Sequence, residues 1–145
     1  MISRSSVRRR GGLILALFIA AAAAWAALPP ISKDDLNRQA THILIGDVRA
    51  VYTTKKAGER GFTDRLYCIE VVPTALEKGE GLKEGRVIYA RAWTPAKRPT
   101  GWLGGQGQNV IPEAGKRVRM HLAQAKDGGL DLLEPNGLEV TRVGK

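Results

Sequence analysis

An all-β domain is expected from this chain: a small five-stranded antiparallel barrel preceded by an N-terminal signal or anchor helix. Three observations lead there. Apolar and polar residues alternate in short runs after Thr41, glycine- and proline-bearing turns separate those runs, and no helix of appreciable length fits between them. Closure into a barrel follows because an open five-stranded sheet would leave its edges and one face exposed. A β-sandwich calls for about seven short strands, and that many are hard to find.

The segment before the barrel has its own pattern. Arg4, Arg8, Arg9 and Arg10 precede the apolar run Gly11–Leu28, which carries no charge, and small residues stand at Ala24 and Ala26. These are the parts of a secretory signal, with cleavage expected after Ala26. The alternative is an uncleaved membrane anchor, since 18 uncharged residues reach the length of a span. Either way the rest of the chain is placed outside the cytoplasm (periplasmic, secreted or anchored facing outward), because the arginines stay inside. Arg8-Arg9 also fits a twin-arginine route. The expected organisation is thus residues 1–26 as signal or anchor, 27–40 as linker with a short helical turn, and 41–143 as the barrel.

Leu28-Pro29-Pro30 is a stiff extended spacer. Ser32 with Asp35 three residues on resembles a capping box, so a helical turn is expected to about Ala40. In the first strand Leu44, Gly46, Val48, Ala50 and Tyr52 alternate with Asp47 and Arg49, and Gly46 marks a bulge or tight bend. Lys55–Gly61 reads as a polar loop, Arg65–Val72 as a second strand, Glu77–Gly85 as a solvated turn and Arg86–Trp93 as a third strand. Residues 94–115 hold Pro95, Pro99 and Pro112 among five glycines, too many for a helix, and a loop of this length is usually functional or mobile. Lys116–Leu122 is a fourth strand with Val118, Met120 and Leu122 inward and Arg117, Arg119 and His121 outward. Asp127-Gly128-Gly129 turns into Leu130–Leu133, and Glu134-Pro135-Asn136-Gly137 has a type I turn signature with Gly137 at a positive φ. Leu138–Thr141 ends the pattern.

Thr41-His42-Ile43-Leu44-Ile45-Gly46-Asp47-Val48 resembles the opening of bacterial exported netrin-like or TIMP-like modules. Val71, Val72, Lys78-Gly79, Gly85-Arg86-Val87 and Gly115-Lys116-Arg117-Val118 fall where that pattern places its later strands and turns. The resemblance covers about residues 40–122 and implies an OB-like five-stranded barrel. Thr41-His42 replaces the usual Ala-Asp pair, and the cysteines through which TIMP-type inhibitors chelate a protease zinc are absent. Metalloprotease inhibition is therefore not carried over.

Composition excludes several function classes. The net charge of +9 falls to +5 without the first 26 residues (19 Lys+Arg against 14 Asp+Glu), so basicity alone does not argue for nucleic acid. A single Cys rules out an internal disulfide and a cysteine-built zinc site, and Cys68 in Leu66-Tyr67-Cys68-Ile69 reads as a small buried hydrophobe. His42 and His121 give no local metal spacing, and no Ser stands in a nucleophile motif. Gly104-Gly105-Gln106-Gly107 lacks the Lys-Ser/Thr end and the following helix of a phosphate loop. No cofactor, metal or catalytic residue is assigned.

The candidate surface is aromatic and basic. Alternation puts Tyr89, Arg91 and Trp93 outward, opposite Ile88, Ala90 and Ala92, with Tyr67, Arg117, Arg119 and His121 extending the face. Trp102 and Leu103 from the long loop either join it or cover Tyr89 and Trp93. Such a set suits base stacking and phosphate contacts, sugar rings or a peptide. The expected function is an exported binding module whose partner is an unknown protein, glycan or polyanion, with the membrane met only through the N-terminal segment and nucleic acid not favoured. Alternatives are a polyanion or single-strand binder using Tyr89, Arg91 and Trp93, and a hydrolase or inhibitor centred on the 94–115 loop, which would need His42, His121 and Asp47 to converge.

Overall fold

The computed structural model describes residues 29–102 and 104–142. The expected signal or anchor helix lies outside these residues. Among them, no helix is long and apolar enough to cross a membrane.

Helix α1 (Lys33–Gln39) starts where the capping pattern placed it: Ser32 Oγ accepts from the Asp35 backbone N–H at 3.1 Å, and Asp34 and Asp35 complement the helix N-terminus. It buries one residue, Leu36, and stops at Ala40, whose extended backbone ends the ladder. Seven residues would not hold a helix alone; the turn is held by packing on the barrel.

Among the described residues six strands follow: β1 (His42–Ala57), β2 (Thr63–Lys78), β3 (Ile88–Lys97), β4 (Arg117–Gln124), β5 (Leu130–Leu132) and β6 (Leu138–Val140). The order β1-β2-β3-β5-β4 closes through β4–β1, giving a five-stranded barrel, and β6 pairs with β4 beyond β5. The barrel is mixed, which corrects the expectation of an antiparallel one. A closed ring of five strands has five neighbouring pairs, an odd number, so direction cannot alternate all the way round. Among the described residues the one parallel pair is β3–β5, with Ala90 beside Leu130 and Arg91 beside Asp131.

The interior is filled by alternate residues of these strands: Leu44, Val48, Ile69, Val71, Ile88, Ala90, Val118, Met120, Leu122 and Leu132 form one buried cluster. Gly46 is needed where β1 bends against β2. A Cβ there would stand 2.6 Å from Val71 Cγ1 and 2.8 Å from the Val72 carbonyl oxygen, and the register shifts at this point opposite Pro73.

A second register shift has more consequence. Val48 pairs with Val71 and Ala50 with Glu70, so Arg49 is the extra residue of a bulge. Parity reverses there. Val51 turns inward against the core, and Tyr52, expected on the inner face, is 55% exposed. The β1–β2 hairpin also runs further than expected, because Lys55–Ala57 pair with Thr63–Arg65 and only Gly58–Phe62 form the turn.

Two further expectations are corrected. His121, expected outward, is fully buried because α1 lies over that part of β4: its imidazole meets Asn37 Oδ1 at 3.0 Å and the Gly137 carbonyl at 3.3 Å. Gly137 does not take a positive φ. It is glycine because a Cβ would collide with the Leu133 carbonyl that its own N–H bonds at 2.8 Å.

Candidate binding cleft

Strand register builds the site. Across β2–β3 the opposed pairs are Glu70 with Tyr89, Cys68 with Arg91 and Leu66 with Trp93. Across β1–β2, Tyr52 faces Cys68 and Thr54 faces Leu66. Directly opposed residues project to the same side of a sheet, so these side chains share the outer surface of the barrel wall. The parallel β5 brings Asp131 beside Arg91 and supplies Leu132, and the chain leaving β5 adds Glu134. Between them is an open cleft of about 630 Å³. Its lining is mostly apolar and aromatic, as ligand sites are.

The polar groups of the cleft are tied to one another. Arg91 Nε donates to Asp131 Oδ1 at 2.6 Å, and its two terminal nitrogens donate to Asp127 at 2.7 and 3.2 Å. These bonds raise the Arg91 pKa and hold the Asp127 carboxyl below its ordinary value. The Trp93 indole N–H donates to Glu134 Oε1. Partial burial nevertheless pushes the Glu134 carboxyl up, and the charge of Asp131 adds to the rise.

Trp93 is also held from the loop side. Gln108 N–H donates to the Trp93 carbonyl at 2.9 Å, and the buried Gln108 amide donates to the Leu132 and Leu133 carbonyls at 3.1 and 2.8 Å. Gly107 passes so close to Trp93 that a side chain there would overlap its backbone, and a Cβ on Gly105 would press on its ring at 3.3 Å. The glycine-rich stretch thus serves close approach. Next to it, the Arg98 guanidinium lies 5.4 Å from the ring centroids of Phe62 and Trp102 and 5.6 Å from that of Trp93. The same guanidinium bonds the Asp64 carboxylate and donates to the Thr63 carbonyl at 3.1 Å. A smaller hollow of about 390 Å³, walled by Phe62, Asp64, Leu66 and Trp93, adjoins this stack.

The expected residues are only partly brought together. Tyr89, Arg91 and Trp93 do share the outer face, with Tyr89 53% exposed and Trp93 half-buried. Trp102 packs on Phe62 at 5.4 Å between centroids, so it is the glycines that press on Trp93; Leu103 lies outside the described residues. Tyr67 pairs with Ala92 and packs on the core, its hydroxyl 3.3 Å from Thr94 Oγ1, and it also lines the cleft. Arg117 and Arg119 point outward on β4, four to six residues from Ala123, the β4 partner of Asp131. At about 3.3 Å per residue that sets them roughly 13–20 Å along the strand. They pair elsewhere: Arg117 with Asp47 at 2.8 Å and Arg119 with Glu77 at 2.7 Å.

His42, His121 and Asp47 do not converge. His42 bonds the Glu80 carbonyl and the Thr41 hydroxyl, both at 2.9 Å, His121 bonds Asn37, and Asp47 bonds Arg117. Cys68, expected in the core, is partly exposed and lines the cleft, because Ile69 takes the inward place beside it. Nothing in the sequence points to Tyr52, Leu66, Glu134 or Arg98 as site residues. The Arg49 bulge hid the first, and the others depend on contacts between distant strands. Comparison with protein-family models, curated proteins and solved structures gives no match for this chain.

Proposed function

We propose that this chain is an exported, OB-like binding module, akin to netrin-like domains, that seats a side chain of a protein partner in the Trp93–Glu134 cleft. The observation that carries the reading is the cleft itself: about 630 Å³, walled by Tyr52, Leu66, Cys68 and Trp93, with the carboxylates of Asp131 and Glu134 in its lining. The strand order β1-β2-β3-β5-β4 supports an OB-like barrel, in which the β2–β3 face is a customary ligand surface. Export is supported by the basic, then apolar, then small-residue pattern of residues 1–26.

A polyanion partner has less support. Arg91, Arg117 and Arg119 each already face a carboxylate, and an incoming anion would have to displace Asp127 or Asp131 to reach Arg91. Catalysis is not part of the proposal. The test is the Trp93 indole 1H–15N resonance, assigned with Trp93→Phe, during titration with blocked tripeptides Ac-Gly-X-Gly-NH2 (X = Leu, Phe, Gln, Glu, Lys, Arg), a heparin fragment and a neutral oligosaccharide. A saturable shift with at least one peptide is expected. No shift with any of these probes would overturn the reading. Fractionation with intact-mass analysis tests export; a cytoplasmic full-length species would refute it.

A further inference from the structure

We propose that the cleft takes the cationic group of a basic side chain, and arginine in preference to lysine. This rests on the binding-module reading and names the chemistry of its ligand.

Charge is the first argument. Around the cleft stand three carboxylates, Asp127, Asp131 and Glu134, and one cation, Arg91. Arg91 is engaged by both aspartates, so it offers an anion little. Glu134 accepts one hydrogen bond, from Trp93, on Oε1, and its Oε2 has no hydrogen-bond partner among the described residues. A neutral apolar occupant would strip water from that oxygen and give nothing back. A guanidinium or ammonium would donate to it.

The walls are the second argument. Tyr52 and Trp93 line the cleft, and ring faces attract cations, indole most strongly. The third is an internal precedent on the same tryptophan. Arg98 already lies over Trp93, Phe62 and Trp102 while its charge meets Asp64, so one arginine of the chain uses the pairing of aromatic faces with a carboxylate that the cleft repeats with Tyr52, Trp93 and Glu134. Arginine is preferred because a planar guanidinium stacks on a ring and donates in the plane at once, which a compact ammonium does not.

The experiment uses the same tripeptide panel on the chain as recovered from its host, with Glu134→Gln as the variant. Gln keeps an oxygen for the Trp93 indole and removes the charge. The Arg peptide is expected to bind at least about tenfold more tightly than the Gln peptide, with Lys between them. Glu134→Gln is expected to weaken Arg binding by about ten- to a hundredfold, the loss typical of a hydrogen bond to a charged group. The backbone amide spectrum of that variant should stay unchanged away from residues 93 and 134, which separates loss of charge from loss of fold. Equal binding of Arg by Glu134→Gln, or tighter binding of the Leu, Phe or Glu peptide or of heparin, would overturn the cation proposal and leave the binding module standing. No response to any probe would overturn both.

Discussion

Gly107→Ala is expected to destabilise the domain well beyond what its backbone angle alone costs, and Gly81→Ala is the control that isolates the excess. Both glycines hold a positive φ, 66° and 84°. An alanine in this region costs about 1–2 kcal/mol. Around Gly81 there is open space, so nothing further is added. At Gly107 a Cβ would overlap the Trp93 carbonyl oxygen and stand 2.9 Å from its carbon. Backbone cannot rotate away as a side chain can, so the loop has to lift. Lifting breaks the Gln108 N–H bond to Trp93 and strains the Gln108 amide bonds to Leu132 and Leu133. With about 1 kcal/mol for the broken bond and about 1 kcal/mol for the two strained ones together, the total for Gly107→Ala comes to roughly 3–4 kcal/mol. For a domain of about 100 residues that is a fall in Tm of roughly 15 °C, against about 5–8 °C for Gly81→Ala. Urea unfolding and thermal melts followed by far-UV circular dichroism measure both. Equal destabilisation by the two substitutions would refute the claim that glycine at 107 serves close approach to Trp93.

Other outcomes follow from the same structure. Met120 is fully buried at the barrel centre, so Met120→Ala should cost about 2–5 kcal/mol in urea unfolding. His121 is held below its ordinary pKa of 6.5, chiefly by burial and then by Arg119, against weaker opposing effects of Gly137, Glu139 and Glu77. The unfolded chain therefore takes up a proton near 6.5 before the native one does, and stability should fall as pH drops through that value toward the lower native pKa. His121→Leu should flatten that slope in denaturation midpoints measured between pH 7.5 and 5, about the range in which an unperturbed histidine titrates. Arg117→Ala should leave the midpoint nearly unchanged, because Arg117 and Asp47 are both about half exposed (43% and 47%).

Much of the barrel was legible because burial enforces alternation locally. Ile88, Ala90 and Ala92 inward against Tyr89, Arg91 and Trp93 outward needed only the period of β3, and Val118, Met120 and Leu122 only that of β4. Ser32 announced its own helix. The failures share a cause in contacts remote along the chain. The bulge at Arg49 exists because β1 curls against β2, and nothing at Arg49 itself signals that Tyr52 will change sides. His121 alternates correctly as a strand residue, and it is α1, some eighty positions earlier, that covers it. In sequence Arg91 belongs to a basic face, and Asp127 and Asp131 reach it only once β5 closes the ring beside β3. That closure turned an expected basic face into a cleft rimmed by carboxylates.

The most direct measurement is a set of intermolecular nuclear Overhauser effects between the isotope-labelled chain and the unlabelled Ac-Gly-Arg-Gly-NH2 peptide. The account predicts contacts from the arginine side-chain methylenes to the Trp93 ring, the Leu66 methyls and the Tyr52 ring. Contacts confined to Tyr89 or to the Arg117–Arg119 stretch of β4, or none at saturating peptide, would contradict it.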